Sequence, residues 1–464
     1  MKRTFFYLSF LILACNNQKE TNPLASQMDE YLAGQQKYFR FNGNVLVAEK
    51  GNIIFQRSYG YAHFDSQRLL NDSSVFELAS VSKQFTAAGI LLLKDRGQLQ
   101  LTDSLRHYFP ELPYANITIW HMLTHTSGLP DYESAMNARW DPSVIAFNND
   151  MIAFLAAEKP AVSFEPGKKW EYSNTAYALL ASIIEKVSRQ TFADFLHQNI
   201  FEPLGMSHTR IYNTRRSLKD TIANYAYGFV YSDSLKKYML PDSLPDLRFV
   251  IYLDGIQGDG VVNSTTGDLL KWDRALKNHT LLKEATQKEM LTGQAIVDTA
   301  KKSAYGYGVF MEKNDLGNII SHSGGWPGYV TFLARNTDKD QTYIVLSNNN
   351  SSSPGICNAL QHIMAGKPVL PAYEHKAITS DSASLVAFAG NYEINGTTIN
   401  LVQKGAKLYR KSTAGEMELK QESPTKFFYT DGTDRQIEFE LGTNKKVTKA
   451  WMIVLGIKNE LKKL

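Results

Sequence analysis

Apolar positions along the chain recur with two periods, and the switches between them predict the fold. Residues 44–50 and 53–61 read as strands on either side of a Gly51-Asn52 turn, so they predict a β-hairpin. From residue 80 to about 96 the apolar positions, including Phe85, Ala88 and Leu92, share one helical face, and Gly97 supplies a stop. Residues 100–250 carry further helical patterns, such as 151–157 and 175–188, broken at Pro130, Pro142 and Pro166-Gly167. Strand patterns return at 305–311, 318–321, 329–334 and 342–347, and a helix follows at about 354–365. Strands at both ends with helices between them predict an α+β unit over residues 31–366. Its antiparallel sheet is built from both chain ends and flanked by a helical region. Pro368 and Pro371 mark a linker over 367–380. Beyond it, short strand patterns at 398–402, 407–411, 416–420, 427–430, 437–441 and 451–455 predict a small antiparallel barrel or sandwich over 381–464.

The first residues follow a third pattern. Lys2 and Arg3 precede an almost wholly apolar run from Phe5 to Ala14. That run is half the roughly 20 residues needed to span a bilayer, and it fits the core of a signal peptide over residues 1–14. Leu11-Ile12-Leu13-Ala14-Cys15 resembles a bacterial lipobox, in which the cysteine is lipidated and becomes the new N-terminus. Polar Asn16-Asn17-Gln18-Lys19-Glu20 then reads as part of a tether over residues 15–30. The expectation is an exported bacterial lipoprotein of the cell envelope, attached to the membrane through Cys15.

Composition narrows the choice of partners. The chain is 43% hydrophobic and 21% charged, an ordinary globular balance, and it has no internal repeat. The formal charge of +4 falls to about +2 without Lys2 and Arg3. No basic stripe interleaved with aromatics is present, which argues against nucleic acid. The second cysteine, Cys357, lies among Ile356, Leu360 and Ile363 and reads as a small buried apolar residue. With Cys15 lipidated no intrachain disulfide is possible, and no Cys/His cluster suggests zinc. His121 and His125 stand at i, i+4, but no glutamate follows His121, so neither metal nor cofactor is expected.

Three motifs carry chemistry. Ser80-Val81-Ser82-Lys83 stands at a predicted helix start. Residues three apart on a helix share a face, with Cβ atoms about 5–6 Å apart. A serine hydroxyl is a weak nucleophile until a neighbouring base takes its proton. The positive end of the helix dipole disfavours an ammonium in the first turn, and the N–H of Ser80 could meet a developing oxyanion. Tyr172-Ser173-Asn174 precedes a helix, where phenol and amide can be aimed the same way. His322-Ser323-Gly324-Gly325 ends a strand, and a glycine pair beside a sheet edge lets a substrate backbone approach. No G-x-S-x-G elbow or G-x-x-x-x-G-K-[ST] loop is present, so neither an α/β-hydrolase nor a P-loop enzyme is supported.

In order and separation the three motifs resemble those of the class C β-lactamase and DD-peptidase superfamily of penicillin-recognising serine hydrolases. Residues 117–130 (Ile-Thr-Ile-Trp-His-Met-Leu-Thr-His-Thr-Ser-Gly-Leu-Pro) and 258–264 (Gly-Asp-Gly-Val-Val-Asn-Ser) match as well. The likeness covers roughly residues 25–366. The tail resembles, less closely, the small β domain appended to many such proteins. The resemblance implies Ser80 as nucleophile, Lys83 as its base and Tyr172 as proton shuttle. It also implies that Asn174 holds Lys83 and the substrate amide, and that His322, Gly324 and Gly325 line the substrate. The N–H groups of Ser80 and Gly325 would form the oxyanion hole. The best-known β-lactamases have lysine where this chain has His322. The expectation is therefore that His322 faces the carboxylate of anionic acyl donors and sets substrate choice. Peptides with D-amino acids, peptidoglycan stems, carboxylic esters and β-lactams remain open as substrates. The alternative is a non-catalytic peptidoglycan- or ligand-sensing lipoprotein of the same fold.

Overall fold

The computed structural model describes residues 22–211, 222–300 and 302–464. Residues 1–14, Cys15 and the first part of the expected tether, to residue 21, lie outside them. Helix α1 (Pro23–Phe39) begins within that tether. The Asn22 side chain accepts the Leu24 N–H at 3.1 Å, and Pro23 takes a first-turn position where its missing N–H has no intrahelical partner to lose. Met28, Tyr31 and Leu32 are buried on its inner face, so a tether ending at residue 30 is corrected to one ending before this helix.

An eight-stranded sheet forms the centre. In chain order its strands are β1 (Gly43–Glu49), β2 (Asn52–Tyr59), β3 (Ala295–Asp298), β4 (Ser303–Tyr305), β5 (Phe310–Asn314), β6 (Gly317–Trp326), β7 (Tyr329–Asn336) and β8 (Gln341–Ser347). The spatial order is β3-β4-β5-β6-β7-β8-β1-β2, antiparallel throughout. The two ends of the unit meet where β1 pairs with β8, Val45 opposite Val345.

Successive side chains of a strand point to opposite faces, and both faces of β1 are covered. Leu46 and Ala48 join Ile344 and Leu346 against the helical region, which includes α2 (Lys83–Asp95) and α4 (Asn174–Ser188). Helix α3 (Tyr132–Arg139) packs on the same side and adds Tyr132 and Met136 to that core. Val45, Val47 and Val345 face α1 and the last helix, α5 (Ser353–Met364). Cys357 sits in this second layer, fully buried as expected, and burial pushes its thiol up to about 12.

The tail is a closed antiparallel barrel of strands β9 (Gly390–Ile394), β10 (Thr397–Lys404), β11 (Lys407–Ser412), β12 (Gly415–Ser423), β13 (Lys426–Tyr429), β14 (Arg435–Leu441), β15 (Val447–Val454) and β16 (Ile457–Lys463). Closure through β9 and β16 leaves no open sheet edge. Leu385, Phe388, Tyr392, Phe427 and Phe439 belong to the core that fills its interior. The barrel docks on α1, with Tyr31 donating to the Leu455 carbonyl at 3.1 Å and Gln35 to Asp434 at 2.7 Å.

The linker is pinned as well. The Leu370 N–H donates to Gly456 O, and the His375 ring stacks on Phe428 at 4.9 Å and meets Glu422 at 2.8 Å. Burial opposes a charge on that ring, but Asp434 and Glu422 outweigh it and raise His375 to about 9. Among the described residues no helix is long and apolar enough to cross a membrane.

Candidate active site

The short strand Phe76–Glu77 pairs with Val262–Ser264, which sets the turn carrying Ser80 beside residues 259–261. A 3-10 turn, Ala79–Ser82, precedes α2, so Ser80 lies just outside the α-helix rather than in its first turn. Ala79 is held at φ 47°, a left-handed conformation that costs an L side chain energy and recurs at functional sites. Lys83 is fully buried, and its Nζ lies 3.1 Å from Ser80 Oγ, 2.8 Å from Asn174 Oδ1 and 2.7 Å from the Asp259 carbonyl. Two of these three partners are carbonyl oxygens and can only accept. A neutral Lys83 would spend both of its N–H bonds on them and turn its lone pair to the Ser80 hydroxyl.

Asn174 opens α4, whose N-cap Ser173 accepts the Ala176 N–H at 3.1 Å. The Asn174 amide nitrogen donates to Glu133 on α3 at 2.7 Å. Tyr172 lies two residues before Asn174, its ring 4.9 Å from the Lys83 nitrogen, and its buried hydroxyl makes no hydrogen bond. Beneath it the His125 ring packs at 4.3 Å and accepts the Ser173 N–H on Nδ1 at 3.1 Å. Burial first, then the charges of Lys83 and His322, hold His125 well below the ordinary histidine range. His121 is spent elsewhere, in the cap of its own short helix, where its Nδ1 accepts the Thr118 N–H.

The third motif forms the opposite wall. The last pair between β5 and β6 is Phe310 with Ser321, so from His322 onward only β7 pairs with β6 among the described residues. Gly324 and Gly325 have different surroundings. A Cβ on Gly324 would stand 2.1 Å from the Leu78 carbonyl and 2.3 Å from Thr331 Oγ1, whereas one on Gly325 would meet nothing within 4 Å. Gly325 and Ser80 are shared by two cavities. One is lined by Glu133, Asn174, Asp259 and Trp326, the other by Trp170, Tyr172, Phe310 and His322. Gly324, named from the sequence beside Gly325, is packed against the Leu78 carbonyl and Thr331. A larger cavity of about 380 Å³, between α1 and the barrel, holds no serine–lysine pair.

His322 differs most from expectation. It is 2% exposed. Its Nδ1 lies 2.7 Å from the Ser323 carbonyl, which can only accept, so Nδ1 carries the proton and Nε2 accepts the Tyr305 hydroxyl at 3.0 Å. Burial first, then the Lys83 charge, lower it to about 3. The ring is therefore neutral throughout the physiological range and offers no cation to a carboxylate. Its imidazole proton shifts are expected to stay constant in NMR from pH 5 to 8. A titration centred near the ordinary value of about 6.5 would refute this environment.

Sequence reasoning identified Ser80, Lys83, Tyr172 and Asn174, and these four come together. It missed Glu133, the Asp259 carbonyl and the packing role of His125, although residues 125 and 259 fall in segments already noted as matching.

Comparison with known proteins shows what the chain is similar to. The profile of the family described as Beta-lactamase matches residues 28–364. Penicillin-binding protein 4* of Bacillus subtilis (strain 168) is 42% identical over 414 residues, covering 87% of this chain and 91% of the relative. The crystal structure of a penicillin binding protein from Bacillus halodurans superposes with TM-score 0.62 at 26% identity, over 74% of this chain and 98% of that one. The octameric penicillin-binding protein homologue from Pyrococcus abyssi shares the fold over 94% of this chain and 99% of its own, with TM-score 0.68 at 22% identity.

Proposed function

The chain belongs to the Beta-lactamase family, and from that premise we propose that it is a serine hydrolase working through an acyl-enzyme on Ser80. The observation that carries this reading is the Lys83 contact set: two carbonyl acceptors hold the amine and leave its third direction to the Ser80 hydroxyl. Lys83 takes the hydroxyl proton as Ser80 Oγ adds to the substrate carbonyl. The N–H groups of Ser80 and Gly325 stabilise the resulting oxyanion. The leaving group departs with a proton delivered through Tyr172, whose hydroxyl has no other partner in the site. Water, activated by the same groups, then adds to the ester carbonyl, and Ser80 leaves with the returned proton.

The substrate class is an acyl donor of the peptide or β-lactam kind. A relative named as penicillin-binding at 42% identity supports this, as does the free edge of β6 beside Ser80. A neutral His322 supplies no cation for a carboxylate on the donor. The non-catalytic sensor is not favoured, because Lys83 meets both Ser80 Oγ, at 3.1 Å, and the Tyr172 ring, at 4.9 Å. The test is a fluorescent penicillin and a fluorophosphonate, each with peptide mapping. Both should modify Ser80, and a protein modified by neither is not this enzyme.

We also propose that Cys15 carries a lipid anchor that holds the enzyme at the cell envelope, with residues 16–22 as the tether. The apolar run before Cys15 and the polar segment after it support this. Cys15→Ser should move the protein from the detergent-soluble membrane fraction to the soluble fraction, because a ten-residue apolar run cannot anchor alone. Unchanged fractionation would discard the anchor.

A further inference from the structure

The Asn174 amide can be placed either way round, and only one way serves Lys83. With the oxygen toward Lys83 it accepts a hydrogen bond at 2.8 Å; reversed, its NH₂ would oppose the N–H groups of the amine. The neighbour on its other side decides. Glu133 Oε1 lies 2.7 Å from Asn174 Nδ2, and an ionised carboxylate can only accept, so the amide nitrogen must face it. We propose that Glu133 is a positioning residue of the reaction, fixing the Asn174 amide so that its oxygen stays on Lys83. This rests on the reading of Ser80 and Lys83 given above.

Several charged and titratable groups surround the carboxyl. Lys83 faces it from α2, Asp259 from the loop before Val262–Ser264, and Asp131 and Tyr132 from the start of its own helix. Glu77 and Asp254 line the same cavity. Burial first, then Asp259 and Asp131, raise Glu133 to about 7 against the opposing pull of Lys83 and the Asn174 hydrogen bond. A protonated Glu133 gains an O–H donor, can bond the Asn174 oxygen instead, and releases the amide to turn. Lys83 then loses one of its two carbonyl anchors. Activity should fall as pH drops through about 7 and be restored above it.

The experiment measures kcat and KM for hydrolysis of a neutral p-nitrophenyl ester from pH 5.5 to 9 in wild type, Glu133→Gln and Glu133→Leu. Glutamine, like the protonated acid, offers Asn174 both a donor and an acceptor and has no ionisation. It should hold kcat near the low-pH wild-type level at every pH and lose the limb near pH 7. Leucine should lower kcat about 10²-fold with little change in KM, the scale expected when a catalytic group is displaced. A limb near 7 that survives in Glu133→Gln, a Glu133→Leu enzyme with wild-type kcat, or a wild type with no such limb would each overturn the proposal. Fluorophosphonate modification of Ser80, mapped in all three proteins, separates the two layers. Ser80 left unmodified in wild type by both the fluorophosphonate and a fluorescent penicillin defeats the hydrolase reading itself. Modified Ser80 with unchanged profiles defeats only the role of Glu133.

Discussion

Ser80→Ala should abolish turnover while leaving the fold as stable as wild type. The serine hydroxyl has one described side-chain contact, the 3.1 Å bond from Lys83, and Lys83 keeps its two carbonyl partners when that bond is lost. No buried group is stranded, so the stability change should stay within about 0.5 kcal/mol. Without the nucleophile the covalent route closes, and groups that act as a unit typically lose ~10³–10⁶ in kcat when one is removed. Steady-state kinetics beside urea unfolding check both halves. Normal turnover by the folded variant would end the mechanism. Lys83→Ala is a poorer control. It would leave the Asn174 oxygen and the Asp259 carbonyl without their donor inside the core, so lost activity and lost stability would be mixed. Combined with Ser80→Ala, it and Tyr172→Phe should add almost nothing further in kcat.

How far the site could be read from the sequence follows from how each contact is made. Ser80 and Lys83 are three residues apart, and Asn174 begins a helix two residues after Tyr172, so local geometry pairs them. The Asp259 carbonyl and Glu133 join across 176 and 41 positions through a main-chain oxygen and one amide bond, and neither leaves a local pattern. The identity of His322 was legible but its environment was not. Tyr305, 17 residues away on β4, supplies the bond that accompanies its burial.

The central sheet and its flanking helices followed from periodicity, because β1, β7 and β8 are dense in apolar residues. The barrel was only half legible. Six of its strands stood out, but β9 and β16 did not. In β16 only Ile457 and Leu461 are buried, so alternation fades in one of the two strands that close the ring. The tether ran too far because the face of α1 is apolar only at widely spaced positions, and it becomes a buried stripe only once β2 and α5 cover it.

Gly324→Ala should damage both stability and rate, and Gly325→Ala should spare stability, although the two glycines are adjacent in one motif. A methyl on Gly324 would point at the Leu78 carbonyl at 2.1 Å and at Thr331 Oγ1 at 2.3 Å. Neither can step aside, since Thr331 donates to that same carbonyl at 2.6 Å and Leu78 stands two residues before the nucleophile. The clash can be relieved only by parting β6 from the turn that holds Ser80. Overpacking of this kind costs roughly 1–3 kcal/mol. The same movement carries the Gly325 N–H away from the position where the oxyanion forms, and losing one such donor costs about 10²–10³ in kcat. A methyl on Gly325 meets nothing within 4 Å and projects into open space at the mouth of two cavities, so unfolding should be unchanged and any effect should fall on substrate binding. Urea midpoints and acylation rates for the two alanine variants give the comparison. A Gly324→Ala protein as stable and as fast as wild type would mean that β6 is not packed against the Ser80 turn as closely as these distances require.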